Sequence, residues 1–115
     1  MEKTGLEWTD DVSDPLFDIW RFVDPAANSI EIGTGRFAAG QLMPAVGHSQ
    51  HGMREISIIL EGEIETNSGG KTERLKAGDI VTIPANQIQH SRFVADTKLI
   101  YIFFGHRSCR EDEDS

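Results

Sequence analysis

The chain has 115 residues, of which 38% are hydrophobic and 26% charged, and its formal net charge is −8. This composition is typical of one globular domain, and no apolar run approaches the roughly 20 residues that a membrane-spanning helix needs. The charge argues against nucleic acid as a partner, because phosphate binding requires a clustered basic face that this sequence lacks.

Both ends of the sequence are acidic and lack a periodic pattern of hydrophobic residues. We expect an irregular lead-in over 1–16, one domain over 17–105 and a disordered acidic tail over 106–115. The N-terminus has no basic segment followed by an apolar core, so no secretory signal is expected. A single cysteine, Cys109, cannot form an internal disulfide, which favours a reducing cytoplasm.

Short strand-like segments follow one another along the domain, separated by glycine and proline turns. The segment 29–39 contains Gly33 and Gly35, which predict a bulged or sharply bent strand. With no convincing amphipathic helix, the pattern predicts an all-β antiparallel sandwich or small barrel. The predicted strands are 17–23, 29–39, 54–60, 62–66, 71–76, 79–84, 90–95 and 98–104.

Two of these strands, 54–60 and 98–104, carry apolar residues on both faces. A sheet with one face in water alternates apolar and polar side chains, so the outer face of these strands should be covered. A second copy of the chain, forming a face-to-face homodimer, is the simplest cover. The alternative cover is the N-terminal segment.

The segment GHSQHGMREISIILEG, which begins at Gly47, holds candidate metal ligands. His51 and Glu55 are four residues apart, so on a strand they point to one face. His90 begins a later strand. Two imidazoles and one carboxylate suit Fe(II), and also Mn, Ni or Zn, and leave positions open for water or substrate. We predict one divalent transition metal held by these residues; the alternatives are a polar cluster inside the barrel and simple surface exposure.

His48 precedes His51 by three residues, which is out of phase for a regular strand. A β-bulge at 49–50 would turn it inward as a fourth ligand, and the alternative is an exposed loop histidine.

Three further residues are candidates for substrate binding. Arg92 shares an inward face with His90 if that strand is regular, which predicts a small anionic substrate; otherwise it pairs with an internal acid or lies in water. Tyr101, the single tyrosine, lies among apolar residues, where a core tyrosine with a hydrogen-bonded hydroxyl is the alternative. Gln41 is a possible residue of the rim.

Two segments resemble the conserved motifs of the cupin superfamily. His51, Glu55 and Gly62 have the spacing of the second half of its first motif, and residues 78–84 fit the start of its second. The resemblance covers roughly residues 35–105 and implies a small single-domain cupin, an antiparallel jelly-roll barrel also described as a double-stranded β-helix.

The sequence departs from both motifs at specific positions. Ser49 stands where the first motif has its first histidine, with His48 one place earlier. In the second motif Asn86 replaces a glycine, and Gln89 occupies the histidine position with His90 one residue later. Asn86 can adopt the left-handed backbone conformation of glycine. Either local insertions bring the histidines into their usual places, or the metal is weak or missing.

The resemblance implies two classes of function. One is a metal-dependent enzyme acting on a small molecule with dioxygenase, isomerase, lyase or decarboxylase chemistry. The other is a non-catalytic small-molecule-binding module or a metal-free protein similar to sugar isomerases. The absence of a helix pair for DNA binding disfavours a transcription factor.

Overall fold

The computed structural model describes residues 1–44 and 52–106, and there the chain forms nine β-strands. Their bounds are β1 Leu16–Val23, β2 Asn28–Phe37, β3 Leu42–Met43, β4 Arg54–Glu61, β5 Glu63–Ser68, β6 Lys71–Lys76, β7 Ile80–Ile83, β8 Gln89–Phe93 and β9 Thr97–His106. No helix long and apolar enough to cross a membrane occurs in these two ranges.

The strands form two antiparallel sheets that pack face to face. One has the order β1-β2-β9-β4-β7 and the other β3-β8-β5-β6. The rings of Phe37 and Phe93, one from each sheet, stack with centroids 3.8 Å apart. Around them lie the buried side chains of Ile59, Ile64, Leu75, Leu99 and Tyr101. The predicted all-β jelly-roll barrel of cupin type is confirmed.

Turn chemistry accounts for much of the agreement between predicted and observed strands. Asn86 has φ 64° and so adopts the left-handed conformation expected of it. Gly62 turns the chain between β4 and β5 with φ 96°, and a Cβ there would overlap Thr97. The chain can reverse direction at these positions because asparagine and glycine tolerate a positive φ.

Strand β2 differs from the bent strand that its glycines predict. It pairs with β9 from Asn28 to Phe37 without a register shift. The irregularity lies in β1 instead, between Asp18 and Trp20. Gly33 is needed for close approach, since a Cβ there would overlap the Tyr101 ring. Glycine in this strand makes room for a neighbour and does not bend the backbone.

The outer face of the five-stranded sheet is largely apolar. The N-terminal segment covers part of it, because the Thr34 hydroxyl donates to the carbonyl of Glu7, Arg36 Nη1 donates to that of Thr9, and Trp20 Nε1 donates to Oε2 of Glu2. Phe22 remains 54% exposed. We call the following residues the outer apolar face: Trp20, Phe22, Ile30, Ile32, Ile56, Ile102 and Phe104.

Candidate functional site

A cavity of about 350 Å³ lies between the two sheets. Its apolar wall includes the Phe37–Phe93 stack, with Leu75 and Leu99 nearby. This size lies within the range of about 300–1,000 Å³ that is usual for small-molecule sites. The cavity also has a polar wall, which comprises Asp18, Glu31, Glu55, Ser57, Thr66, Gln89, Ser91 and Tyr101.

Glu55 lies on β4 and faces the cavity, as its spacing predicts. Its Oε2 accepts a hydrogen bond of 2.9 Å from the hydroxyl of Ser57, two residues along the same face. Its Oε1 accepts one of 3.2 Å from Nε2 of Gln89, on the opposing sheet. Side chains of both sheets, Ser57 on β4 and Gln89 on β8, therefore donate to this carboxylate.

Strand β8 directs the other set of alternating side chains into the barrel than the set expected if Arg92 faced inward. Phe93 is 2% exposed, and the hydroxyl of Ser91 lies 2.9 Å from that of Thr66 inside the barrel. Because side chains alternate along a strand, Gln89 faces the cavity, while His90 and Arg92 are exposed on the other face. The buried phenylalanine fixes this phase, since a one-residue slip would expose it.

Arg92 instead takes part in a surface ion pair. Its Nη2 lies 3.7 Å from Oε1 of Glu65, its cross-strand neighbour on β5. An arginine in water needs no buried anion, so the argument for an anionic ligand does not apply to it.

Tyr101 lines the cavity from β9 and is nearly buried. Its hydroxyl donates a hydrogen bond of 2.9 Å to Oδ1 of Asp18, which lies at an exposed edge of the cavity on β1. Tyr101 thus has the hydrogen-bonded hydroxyl of a core tyrosine and also lines the cavity.

Asp18 was not among the sequence candidates, because the bulge in β1 conceals which of its residues face inward.

Glu31 on β2 is a second carboxylate that sequence patterning missed. It is 5% exposed, lines the cavity and accepts hydrogen bonds from Arg21 Nη2 at 2.7 Å and Nε at 3.2 Å. In the sequence, the apolar neighbours Ile30 and Ile32 favour the opposite assignment, in which they face the core and Glu31 faces solvent. No sequence signal separates the two phases when the sheet is apolar on both faces.

Gln41 lies outside the cavity lining and supports the fold. Its Oε1 accepts the backbone N–H of Ala38, at 2.9 Å, and its Nε2 donates to the carbonyl of Val12. The side chain therefore ties the turn after β2 to the N-terminal segment.

Two predicted ligands, His48 and His51, fall in residues 45–51, outside the described residues. Among the residues that are described, no group of three or more His, Cys, Asp or Glu side chains is arranged to hold a metal ion. Of the four predicted ligands, Glu55 faces the cavity and His90 does not. The described donor set near Glu55 consists of one carboxylate with hydroxyl and amide groups.

Comparison with known proteins identifies the family. Residues 34–104 match the model of the Cupin domain, and a search of curated proteins finds no match. The fold is similar to KdgF from Halomonas sp., at 20% identity and a TM-score of 0.67, over 88% of this chain and 87% of that one. A protein of unknown function from Rhizobium leguminosarum is 25% identical, with a TM-score of 0.61, over 80% and 83% of the two chains.

A larger enzyme shares the same fold over part of its length. Salicylate 1,2-dioxygenase from Pseudoaminobacter salicylatoxidans is 16% identical with a TM-score of 0.58, over 78% of this chain but only 27% of the enzyme. These likenesses concern the barrel. Because the family model matches more than half of the sequence, the chain belongs to the cupin family.

Proposed function

We propose that this cupin binds a small organic molecule in the barrel cavity and acts on it with a divalent metal ion. The observation that carries the proposal is the carboxylate of Glu55, which is directed into the cavity and held by Ser57 and Gln89. Carboxylates are common metal ligands in such sites, and hydrogen bonds from neighbouring groups orient a ligand carboxylate.

The proposed ligands are Glu55, His51 and His48. His51 is in phase with Glu55 in the sequence, and His48 joins if the chain between them bulges. His90 is left out because its side chain is exposed on the face of β8 that points away from the cavity. A bound Fe, Mn, Ni or Zn ion would supply a Lewis acid that polarises an oxygen of the bound molecule.

The cavity favours a molecule with hydroxyl groups over an anionic one. Asp18, Glu31 and Glu55 line it, whereas no Lys, Arg or His side chain does so among the described lining residues. Hydroxyl groups donate hydrogen bonds to carboxylates, while an anion would be repelled by them. The anionic substrate suggested by Arg92 thus loses its main support.

A cytoplasmic location remains part of the proposal, since it rests on the single cysteine.

Metal uptake tests the proposal. Protein purified without chelator is analysed for metals, and metal-free protein is then melted with and without added Fe(II), Mn(II), Ni(II) or Zn(II). We expect about one bound equivalent and a higher melting temperature with at least one ion, since a ligand that binds the folded state stabilises it. Less than about a tenth of an equivalent, with unchanged melting for all four ions, would overturn the metal function.

A metal-free binding module is the second candidate. It is favoured by the amide of Gln89, an uncharged group, as the β8 partner of Glu55. In that case replacing Glu55 by alanine should leave stability independent of added metal, in the variant and in the wild type alike.

A further inference from the structure

We infer that the side chains of Thr66 and Ser91, called here the hydroxyl pair, form a ligand-binding subsite that donates a hydrogen bond to an uncharged oxygen of the bound molecule. Their hydroxyl oxygens lie 2.9 Å apart, on the neighbouring strands β5 and β8, and both residues line the cavity. This inference rests on the proposed binding of a small organic molecule in the cavity, and it requires no metal ion.

The hydroxyl pair has one proton more than its own hydrogen bond uses. Each hydroxyl carries one proton and two lone pairs, so the bond between Thr66 and Ser91 uses one of two protons. The other proton has no acceptor among the described residues. Thr66 is 7% exposed, and an unpaired donor at a buried site is costly. A molecule that fills the cavity and displaces water from it must therefore accept this proton.

The other hydroxyl protons of the cavity are already used. Among the described lining residues, the remaining hydroxyl groups are those of Ser57 and Tyr101. Ser57 donates to the carboxylate of Glu55, and Tyr101 donates to that of Asp18. An ionised carboxylate accepts hydrogen bonds and donates none. The carboxylates thus suit the hydroxyl protons of a ligand, whereas the hydroxyl pair suits one of its oxygen lone pairs.

The place of the hydroxyl pair in the barrel indicates the shape of the ligand. Along the inner face of β5 and β8, the pair Ile64–Phe93 comes first, the hydroxyl pair next and Ser68–Gln89 last. Successive pairs on one face are about 7 Å apart, which is comparable to the width of a six-membered ring. A ligand whose apolar side lies against Phe93 can therefore place an oxygen at the hydroxyl pair. The predicted ligand is an uncharged molecule with one apolar side and a carbonyl or hydroxyl oxygen.

Three probes of similar size test the inference on the full chain. Cyclohexanone only accepts hydrogen bonds, cyclohexanol accepts and donates them, and benzene has no oxygen. Their dissociation constants are measured by NMR titration for the wild type, Thr66→Val, Ser91→Ala and the double variant. Thr72→Val, at an exposed position on β6, is the control and should bind all three probes as the wild type does.

The proton count predicts a non-additive result. Each single variant keeps one hydroxyl with a proton to donate, so its affinity for cyclohexanone should stay within about two-fold of the wild type. The double variant keeps none, and its affinity should fall by about three- to ten-fold, the scale of one net hydrogen bond. Its affinity for benzene should not fall. Given that loss, tighter wild-type binding of cyclohexanone than of cyclohexanol identifies a carbonyl as the oxygen of the ligand, and the reverse order identifies a hydroxyl group.

A folded double variant that retains its affinity for cyclohexanone would overturn the inference and leave the proposed binding of a small molecule intact. An equal loss of affinity for benzene would also overturn it, because the shape of the cavity would then have changed. If the wild type binds none of the probes at millimolar concentration, the proposed binding in the cavity fails together with the inference.

A second variant keeps the test available if the double variant does not fold. Thr66→Val combined with Ser91→Cys fills the same space, and a thiol is only a weak donor. The same selective loss of cyclohexanone binding is expected. Retained cyclohexanone affinity in this variant would overturn the inference.

Discussion

The hydroxyl of Tyr101 on β9 reaches Oδ1 of Asp18 on β1, at 2.9 Å, across the strand that lies between them. The intervening residue is Gly33, which is the cross-strand neighbour of both. The ring crosses β2 at the point where that strand has no side chain. Gly33, Tyr101 and Asp18 therefore form one unit on the polar wall of the cavity.

Replacing Gly33 by alanine should destabilise the protein. The added Cβ would overlap the ring and hydroxyl of Tyr101, so the ring must move and its bond to Asp18 is lost. Overpacking of this kind costs about 1–3 kcal/mol in the free energy of unfolding, measured by urea denaturation. Gly5→Ala is the control, since nothing lies within 4 Å of a Cβ there. Equal stability of the two variants would contradict this account.

Arg21→Met should cost more stability than the same change at Arg74. Arg21 pairs with Glu31, a carboxylate that is 5% exposed, so its removal leaves a buried charge less well compensated, at a cost of about 1–3 kcal/mol. Arg74 pairs with Glu63 and Glu65 on the exposed surface, where its loss should change little. Urea denaturation of both variants makes the comparison. The reverse order of stabilities would exclude a structural role for the inner pair.

The outer apolar face should mediate a homodimer. In it Ile102 of β9 lies between Ile32 and Ile56, its neighbours on β2 and β4. Contact with a second copy would remove this surface from water. We expect light scattering at micromolar concentration to give twice the chain mass of 12.8 kDa, and Ile102→Glu to give the monomer.

Thr72→Glu, on the exposed strand β6 of the other sheet, is the matched control for the dimer and should remain dimeric. A wild-type protein that scatters only as a 12.8 kDa species would contradict the prediction.

Much of the fold was predictable because its turns are marked in the sequence. Glycines 62, 69, 70 and 78 and Asn86 all have positive φ, and they separate β4 to β8 at the expected places. The alternation of Glu55 and Ser57 likewise gave the inward face of β4 correctly. Local residues carry this information, so it can be read without knowledge of the packing.

The phase of β8 and the role of β1 were harder to predict. In HSRF, either His90 and Arg92 or Ser91 and Phe93 can face inward, and only the buried Phe93 decides between them. Asp18 faces the cavity because of a bulge, which leaves no mark in the composition of β1. Both features depend on contacts between distant strands, which the order of residues in one segment does not encode.

The proposed metal function requires Glu55 to bind a divalent metal inside the barrel. Glu55→Ala and Glu61→Ala remove the same side chain from one strand, at the cavity and at the exposed surface respectively. Equilibrium dialysis of both variants and the wild type against Mn(II) measures this binding. We predict about one equivalent bound by the wild type and by Glu61→Ala, and an affinity lowered by about ten-fold or more in Glu55→Ala. Equal binding by all three proteins would contradict the claim.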